Sequence, residues 1–359
     1  MHFTEEEIGR LVTTFPEFDN HEKVLPFADK HTGLKGFIAI HRQNKNLPSF
    51  GATRFWHYTS PLYALSDALR LSKMMSYKAA LAGISYGGAK GVIINPTPNN
   101  NLNGSQKKAN ILKAYADQVN YLGGRFITGT DVGISQTDLT IMAARSPYMV
   151  GLRTDPTKFT ALGLFGAMKV CFEKVFGKDS VENRSFAIQG TGKIGEAITE
   201  LLYQDGAKIF VTDLKGKKLK ELKRRFPRIN IVAPSDIHRQ KVDCFCPCAL
   251  SGALNKKTVP QLKCKIVAGG ANNQLENNSI GKLLFVKGIL YAPDYLVNAG
   301  GLISVVDEYQ NKIPNEKRIT EKVEIISKNL RTILEIGNHQ NRPPVEIAND
   351  MAEKVFNGY

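Results

Sequence analysis

One segment constrains the fold more than any other. Ser185–Gln189 is a short apolar run, Gly190-Thr191-Gly192-Lys193-Ile194-Gly195 is a glycine turn, and Glu196–Gln204 has helical periodicity. Lys208–Thr212 is a second apolar run, ending at Asp213. Strand, turn, helix and strand in that order form a βαβ unit, and its two strands must lie parallel in an α/β sheet. A bare GxGxxG is a weak signal. Here it sits between a strand and a helix, with an acidic residue 23 positions after its first glycine, and that context makes it specific for a dinucleotide. Gly190 permits the tight turn, Gly192 admits the pyrophosphate to the backbone, and Gly195 lets helix and strand pack closely. The helix N-terminus offers amides and dipole to the phosphates. Asp213 would accept hydrogen bonds from the ribose hydroxyls and repel a 2′-phosphate, so NAD is expected over NADP. Lys215 and Lys217 soften that preference without reversing it.

At 359 residues the chain is long for one core, which predicts two domains. Its 42% apolar and 23% charged residues suit a globular protein. A net charge of +15 invites a nucleic-acid reading, but the basic residues are spread along the chain. The densest cluster, Lys215 to Arg225, carries Leu219 and Leu222 at helical spacing and reads as one solvated helix face. No patterned aromatic-basic face accompanies it, so nucleic acid is not an expected partner. Cys244, Cys246 and Cys248 alternate, and they lack the paired spacing of a thiolate metal site; five small thiols in a reduced compartment are expected, with no metal. The N-terminus lacks the regions of a signal peptide and no apolar run would span a membrane, so no membrane association and a cytoplasmic location are expected.

The first half alternates strand and helix. Residues 34–42 and 91–95 read as buried strands, 62–75 and 111–122 as amphipathic helices, and 125–128 as a short strand. Asp155-Pro156 breaks this pattern. A small-residue helix, 161–176, then leads into the βαβ unit, and short strands at 242–245, 266–268 and 290–291 continue the open sheet. A long amphipathic helix covers 321–335. The expected division is 1–155 for the substrate, 156–320 for a Rossmann-type cofactor domain, and 321–359 as a helical segment packing back on the first domain, with a cleft between the two domains.

Lys78 and Lys90 lie in a stretch otherwise rich in Ala, Gly, Leu and Ile (Tyr77 to Lys90). Two ammonium groups in an apolar setting point to an anion to bind, a pKa to lower, or both. Gly83-Ile84-Ser85-Tyr86-Gly87 matches the GxSxG of hydrolase nucleophile turns, but more glycines and then a strand follow it where a helix is needed, so the match is read as coincidence. Thr128-Gly129-Thr130-Asp131 places a carboxylate after a strand, either a turn aspartate or a catalytic one. Gly269 to Asn273 and Asn298 to Gly301 are amide-bearing turns suited to a carboxamide.

Together these segments resemble the superfamily of glutamate, leucine, phenylalanine and valine dehydrogenases, and the leucine enzymes most. The resemblance runs from about Gly33 to Met351, through Gly51-Ala52-Thr53-Arg54, Tyr77-Lys78, Gly87-Gly88-Ala89-Lys90, Thr130-Asp131-Val132-Gly133, the glycine turn, Pro247-Cys248-Ala249-Leu250, Ala271-Asn272-Asn273-Gln274, and Tyr291 to Tyr295 with Asn298-Ala299-Gly300-Gly301. It implies oxidative deamination of an L-amino acid by NAD⁺ and water to a 2-oxo acid, ammonium and NADH, in a homo-oligomer. It implies that Lys78 binds the α-carboxylate, that Lys90 is the base that activates water, and that Asp131 carries protons to and from the amino nitrogen. Asn272 and Asn298 would lie near nicotinamide and substrate, and Thr160 near the nicotinamide. The cofactor set is completed by Thr191, Lys193, Ile194, Leu214 and Ala249.

Glutamate enzymes place a lysine just before the first glycine of the Gly51 segment; this chain has Phe50, so an apolar side chain is implied. Gly51, Ala52, Gly129, Leu302 and Val305 join Phe50 in the expected substrate pocket. Gly129 and Leu302 match relatives specific for aromatic substrates, whereas overall similarity puts leucine, valine or isoleucine ahead of phenylalanine or tryptophan. Gly51-Ala52 stands where leucine enzymes have two glycines, Gly-Gly-Ala-Lys replaces Gly-Gly-Gly-Lys, and the chain stops at Tyr359 where relatives continue, which leaves an octamer in doubt. A nucleotide-binding regulator without catalysis is the rival of another class; loss of Lys90 or Asp131 would mark it, and both are present.

Overall fold

The computed structural model describes residues 5–98, 102–249, 251–356 and 358, with residues 5–8 described by their backbone alone. Leu250, Tyr359 and part of the polar loop near Asn99 lie outside the described residues. The chain divides into two compact units, one of residues 1–154, 308–313 and 352–359, the other of residues 155–307 and 314–351.

The first unit is built on a five-stranded sheet. Its elements are α1 (Glu5–Thr13), β1 (Lys23–Asp29), β2 (Leu34–Arg42), β3 (Ser49–Trp56), α2 (Pro61–Leu81), β4 (Gly87–Ile94), α3 (Gln106–Tyr121), β5 (Phe126–Thr130) and α4 (Gln136–Ala143). The strand order is β1-β2-β4-β3-β5. β1 and β2 are antiparallel, as are β2 and β4, while β4, β3 and β5 run parallel. Pro26 is tolerated because β1 is an edge strand. Alternation sends Ile38, Ile40, Phe55, Ala89 and Ile93 to one face, packed with Ile111, Leu112 and Tyr115 of α3 and Leu139 of α4. The other face presents Ala39 and Val92 to Ala64, Leu65, Ala68 and Leu69 of α2.

Three strands of this sheet, β1, β3 and β4, differ from the sequence expectation by more than their ends, and β1 is missing from it. β3 is also absent, because small and charged residues (Gly51, Ala52, Thr53, Arg54) dilute its apolar signal. β4 begins at Gly87 rather than Gly91, so Lys90 stands inside a strand. Its glycines answer to close packing: a Cβ on Gly88 would lie 2.0 Å from the Ser76 backbone nitrogen, and one on Gly87 1.7 Å from the Arg42 carbonyl. The GxSxG stretch links helix α2 to strand β4, the reverse of a nucleophile turn.

The second unit contains α5 (Pro156–Phe176), β6 (Ser185–Gln189), α6 (Lys193–Gln204), β7 (Lys208–Thr212), α7 (Gly216–Arg225), β8 (Asn230–Ile231), β9 (Cys244–Pro247), β10 (Ile266–Val267), α8 (Asn278–Val286), β11 (Leu290–Tyr291) and α9 (Asp294–Val297). Three helices follow: α10 (Gly300–Asn311), α11 (Glu316–Gln340) and α12 (Pro344–Phe356). α10 and α12 each cross the division between units. The sheet order is β11-β10-β9-β6-β7-β8, all parallel, so the winding direction reverses between β6 and β9. That is the doubly wound, Rossmann-type arrangement, and its switch point lies just where the Gly190 turn leaves β6.

Asp155-Pro156 proves to be a helix start. The Asp155 carboxylate accepts from the Thr157 amide at 2.9 Å, and Pro156 occupies the first turn where its missing N–H costs nothing. α7 buries Leu219 and Leu222 and exposes its basic residues, as their spacing predicts. Cys244 and Cys246 are buried on β9, and Cys248 follows it with its Sγ 3.5 Å from that of Cys246. Among the described residues no cluster of His, Cys, Asp and Glu is placed to hold a metal ion, and no helix is long and apolar enough to cross a membrane.

Candidate functional site

In the first unit, strand register gathers the chemistry. Lys90 on β4 is opposite Ala39 on one side and Ala52 on the other, and Ala52 is opposite Gly129 on β5. Side chains in one register row share a face, here the face covered by α2. Phe50 and Gly88 form the row before, and Arg54 and Val92 the row after. A lysine thus stands among residues with almost no side chain, which leaves room beside its ammonium. Gly51 faces the other way; a Cβ there would lie 1.9 Å from the Ala89 carbonyl, so the sheet itself requires glycine.

Lys90 is only 4% exposed. Its Nζ lies 2.8 Å from Asp131 Oδ2, and the same oxygen accepts from Arg54 Nε at 2.9 Å. Arg54 continues to Asp67 through Nη1 at 2.7 Å. Asp67 also accepts from the Tyr58 hydroxyl at 2.6 Å and from Arg70 at 2.6 Å. Burial pushes the Lys90 ammonium below the ordinary lysine range; Asp131 pulls it back and Arg54 pushes it further down. Burial would raise the Asp131 carboxyl, but the Lys90 and Arg54 cations outweigh it and hold the group well below the usual carboxylate range. Asp131 is therefore a carboxylate at neutral pH, beside an ammonium that releases its proton more readily than usual.

The loop that carries Asp131 is pinned from behind. Buried Lys108 donates to the Gly133 carbonyl, to Asp138 and to Asn103, at 2.8, 2.8 and 3.0 Å. Asp138 in turn closes a capping box with Ser135 at the start of α4. Lys78 is half-buried in the last turn of α2, two residues beyond the Ser76 backbone that abuts Gly88.

Phe50 is fully buried, its ring centroid 4.8 Å from that of Tyr86 and 5.2 Å from that of Tyr309. Sequence reasoning missed this aromatic triad, since Tyr309 is 259 positions from Phe50 and no local pattern joins them. It also gave no role to Arg54, although Arg54 stood in a motif it had noted.

In the second unit the glycine turn has the geometry its spacing predicts. Gly190 has φ +95°, and a Cβ on Gly195 would lie 1.9 Å from the Gly190 carbonyl. A Cβ on Gly192 would meet nothing within 4 Å. α6 begins at Lys193 with no side-chain cap, which leaves its first amides for a ligand. Asp213 accepts from the Thr191 amide and hydroxyl at 2.8 and 2.9 Å and from the Lys215 amide at 2.9 Å. Burial opposes this, yet the amides of Lys215 and Thr191 hold its carboxyl below the usual range. Beside it Leu214 is 89% exposed, and across the switch point Ala249 lies against Gly190.

A second cluster forms at the starts of α5 and α10. A Cβ on Gly300 would lie 1.9 Å from the Phe159 carbonyl, and one on Gly301 2.7 Å from Thr160 Oγ1, so the two glycines let α10 rest on α5. Thr160 donates to the Pro156 carbonyl at 2.7 Å. Asn298 donates to Asn272 Oδ1 at 2.9 Å, while its own Oδ1 is buried without a hydrogen-bond partner. Gln274 braces this loop, donating to the Gly269 and Ala271 carbonyls at 2.6 and 3.0 Å. Leu302 is buried and Val305 half-buried on the following helix. An open glycine cradle, uncapped amides, a carboxylate at the end of β7 and an unpartnered carboxamide oxygen fit a nicotinamide dinucleotide.

Residues 21–148 match the family model described as "Glu/Leu/Phe/Val dehydrogenase, dimerisation domain", and residues 210–356 match "Glutamate/Leucine/Phenylalanine/Valine dehydrogenase". The leucine dehydrogenase of Geobacillus stearothermophilus is 38% identical over 346 residues, 95% of this chain and 92% of that one. The chain belongs to this family of amino-acid dehydrogenases. The phenylalanine dehydrogenase of Lysinibacillus sphaericus is also 38% identical, over 357 residues covering 96% of this chain and 91% of that one. Among solved structures, the L-tryptophan dehydrogenase of Nostoc punctiforme superimposes with a TM-score of 0.78 at 37% identity, covering 99% of both chains. Family membership agrees with the fold of both units, and nicotinamide cofactors are the family's own. Relatives named for leucine, phenylalanine and tryptophan all stand near, so kinship alone does not choose among apolar substrates.

Proposed function

We propose that this protein catalyses the reversible, NAD-dependent oxidative deamination of an apolar L-amino acid to its 2-oxo acid. The observation that carries the reading is the buried Lys90–Asp131 pair at 2.8 Å, with Lys90 in a register row otherwise made of Ala39, Ala52 and Gly129. The first unit holds the substrate and the second the dinucleotide, which accepts the hydride from the substrate Cα. Lys78 pairs with the α-carboxylate. Asp131 takes the proton that the substrate ammonium must lose before hydride can leave. Lys90, without its proton, draws one from the water that attacks the imino carbon, and Asp131 returns a proton to the departing nitrogen. Amino acid, NAD⁺ and water give 2-oxo acid, ammonium, NADH and one proton. The Gly190 to Gly195 turn with Thr191, Lys193 and Ile194 receives the pyrophosphate, Asp213 the ribose, Leu214 and Ala249 the adenosine half, and Thr160, Asn272 and Asn298 the nicotinamide half.

Phe50 in place of a lysine argues against glutamate, and Phe50, Ala52 and Gly129 of the first unit, with Leu302 and Val305 of the second, are proposed to select the substrate side chain; Gly51, which faces the other side of the sheet, serves packing instead. We assign leucine, valine and isoleucine as the preferred substrates. An aromatic substrate is the second reading, favoured by the Phe50–Tyr86–Tyr309 cluster and by the absence of a side chain at Gly129. The enzyme is proposed to act as a cytoplasmic homo-oligomer. The test is NADH formation with leucine, valine, isoleucine, phenylalanine, tryptophan and glutamate, repeated with NADP⁺. Activity on apolar substrates with NAD⁺ is expected. Activity on glutamate alone would overturn the pocket assignment, and silence on every substrate would favour a regulator.

A further inference from the structure

We propose that Arg54 is a positioning residue of the reaction, one that meets the charge of Asp131 permanently so that Lys90 is free to work without its proton. This rests on the reading of Lys90 as the base. Asp131 Oδ2 accepts from two cations, Lys90 Nζ at 2.8 Å and Arg54 Nε at 2.9 Å. A lysine alone with a buried carboxylate gains from staying charged, since losing its proton strands the anion in a poor dielectric. Arg54 removes that penalty. A guanidinium does not titrate in the working range, so the carboxylate keeps a partner whichever state Lys90 adopts.

Charge counting over the connected groups leads to the same place. Arg54 and Arg70 balance Asp67 and Asp131 when Lys90 is neutral, and protonating Lys90 leaves the cluster with one positive charge in excess. The resting charge of the cluster thus favours the basic form of Lys90.

The guanidinium is also held from its far side. Nη1 is bound to Asp67 at 2.7 Å, and Asp67 is fixed by Tyr58 and by Arg70. Arg54 sits on β3 two residues after Ala52, with its side chain 16% exposed, so strand and helix α2 grip it from both ends. A planar fork bound at two points has little freedom to leave Asp131.

The experiment follows the pH dependence of kcat/KM in the full-length enzyme and in Arg54→Met, Arg54→Lys and Asp67→Asn. In Arg54→Met the acid limb set by Lys90 is expected to move up by about one pH unit or more, the scale of losing a like charge at this range. The rate lost at neutral pH is then largely recovered in alkaline buffer. Arg54→Lys should shift the limb less, keeping a charge without the second contact, and Asp67→Asn, which takes an anion out of the cluster, should shift it the opposite way, to lower pH. If Arg54→Met fails to fold, the two gentler variants decide. A fall in rate with the limb unmoved would overturn the proposal and leave Arg54 a structural brace. If instead the unmodified enzyme is inactive on every amino acid, or Lys90→Ala retains normal turnover, the functional reading fails before Arg54 is reached.

Discussion

A lysine buried as deeply as Lys90 pays for its desolvation with a partner, and that partner is Asp131. Lys78 stands differently, half-buried at a helix end where an ammonium keeps access to water. This difference in burial supports the proposed division of work, with Lys90 as the base and Lys78 as the anchor of the carboxylate. Lys90→Ala removes the base and should cut kcat by about 10²–10⁴-fold. Lys78→Ala removes the carboxylate anchor and should raise KM as well as lower kcat. Steady-state kinetics on the best substrate separates them, and equal effects of both on KM with kcat intact would dissolve the distinction. The two lysines stand out in the sequence as charges among small apolar residues, whereas Asp131 could be read there as an ordinary turn aspartate. Arg54 did not stand out, although its motif was in view. An arginine next to a strand's small residues looks solvated until register shows that it shares a face with Lys90.

At the scale of elements, legibility followed the strength of the local pattern. β2, β6 and β7 were readable to the residue, since each is a compact apolar run with clear flanks. β3 and the first half of β4 were hidden by glycines and alanines that are there for close approach, not for strand propensity. The aromatic triad was beyond reach for a different reason, since β3, the loop before β4 and the end of α10 meet only in the fold. Tyr86 and Tyr309 clamp Phe50, whose row adjoins that of Ala52, Lys90 and Gly129. Shortening either clamp lets the Phe50 ring tilt away. Tyr86→Ala and Tyr309→Ala should therefore raise kcat/KM for phenylalanine or tryptophan relative to valine by about tenfold, the scale of a modest change in pocket size. A parallel loss on all substrates would show that the triad supports the fold without shaping the pocket.

The molecule as a whole should answer to acid through two histidines that take no part in the proposed chemistry. His21 and His41 pack edge to face in the first unit, ring centroids 4.9 Å apart. His21 Nε2 lies 3.0 Å from the Leu69 carbonyl, and His41 Nε2 lies 3.0 Å from Asp19 Oδ2, which also takes Lys73 at 3.0 Å. Burial lowers His21 to about 4 and His41 to about 3, each from an ordinary 6.5. Asp19 is lowered to about 2, where His41 and Lys73 prevail over burial. The unfolded chain thus binds more protons than the folded one at each of these groups. For the histidines the difference opens as pH falls below 6.5 and is complete near 3; for Asp19 it spans about 4 to 2. Stability must fall with pH across the whole interval, by as much as about 1.4 kcal/mol per pH unit for each histidine. Unfolding midpoints in urea between pH 7 and 4 should trace that slope, and His21→Gln should flatten it by removing one proton uptake. An unchanged slope in His21→Gln and in His41→Gln would mean that acid sensitivity originates elsewhere in the molecule.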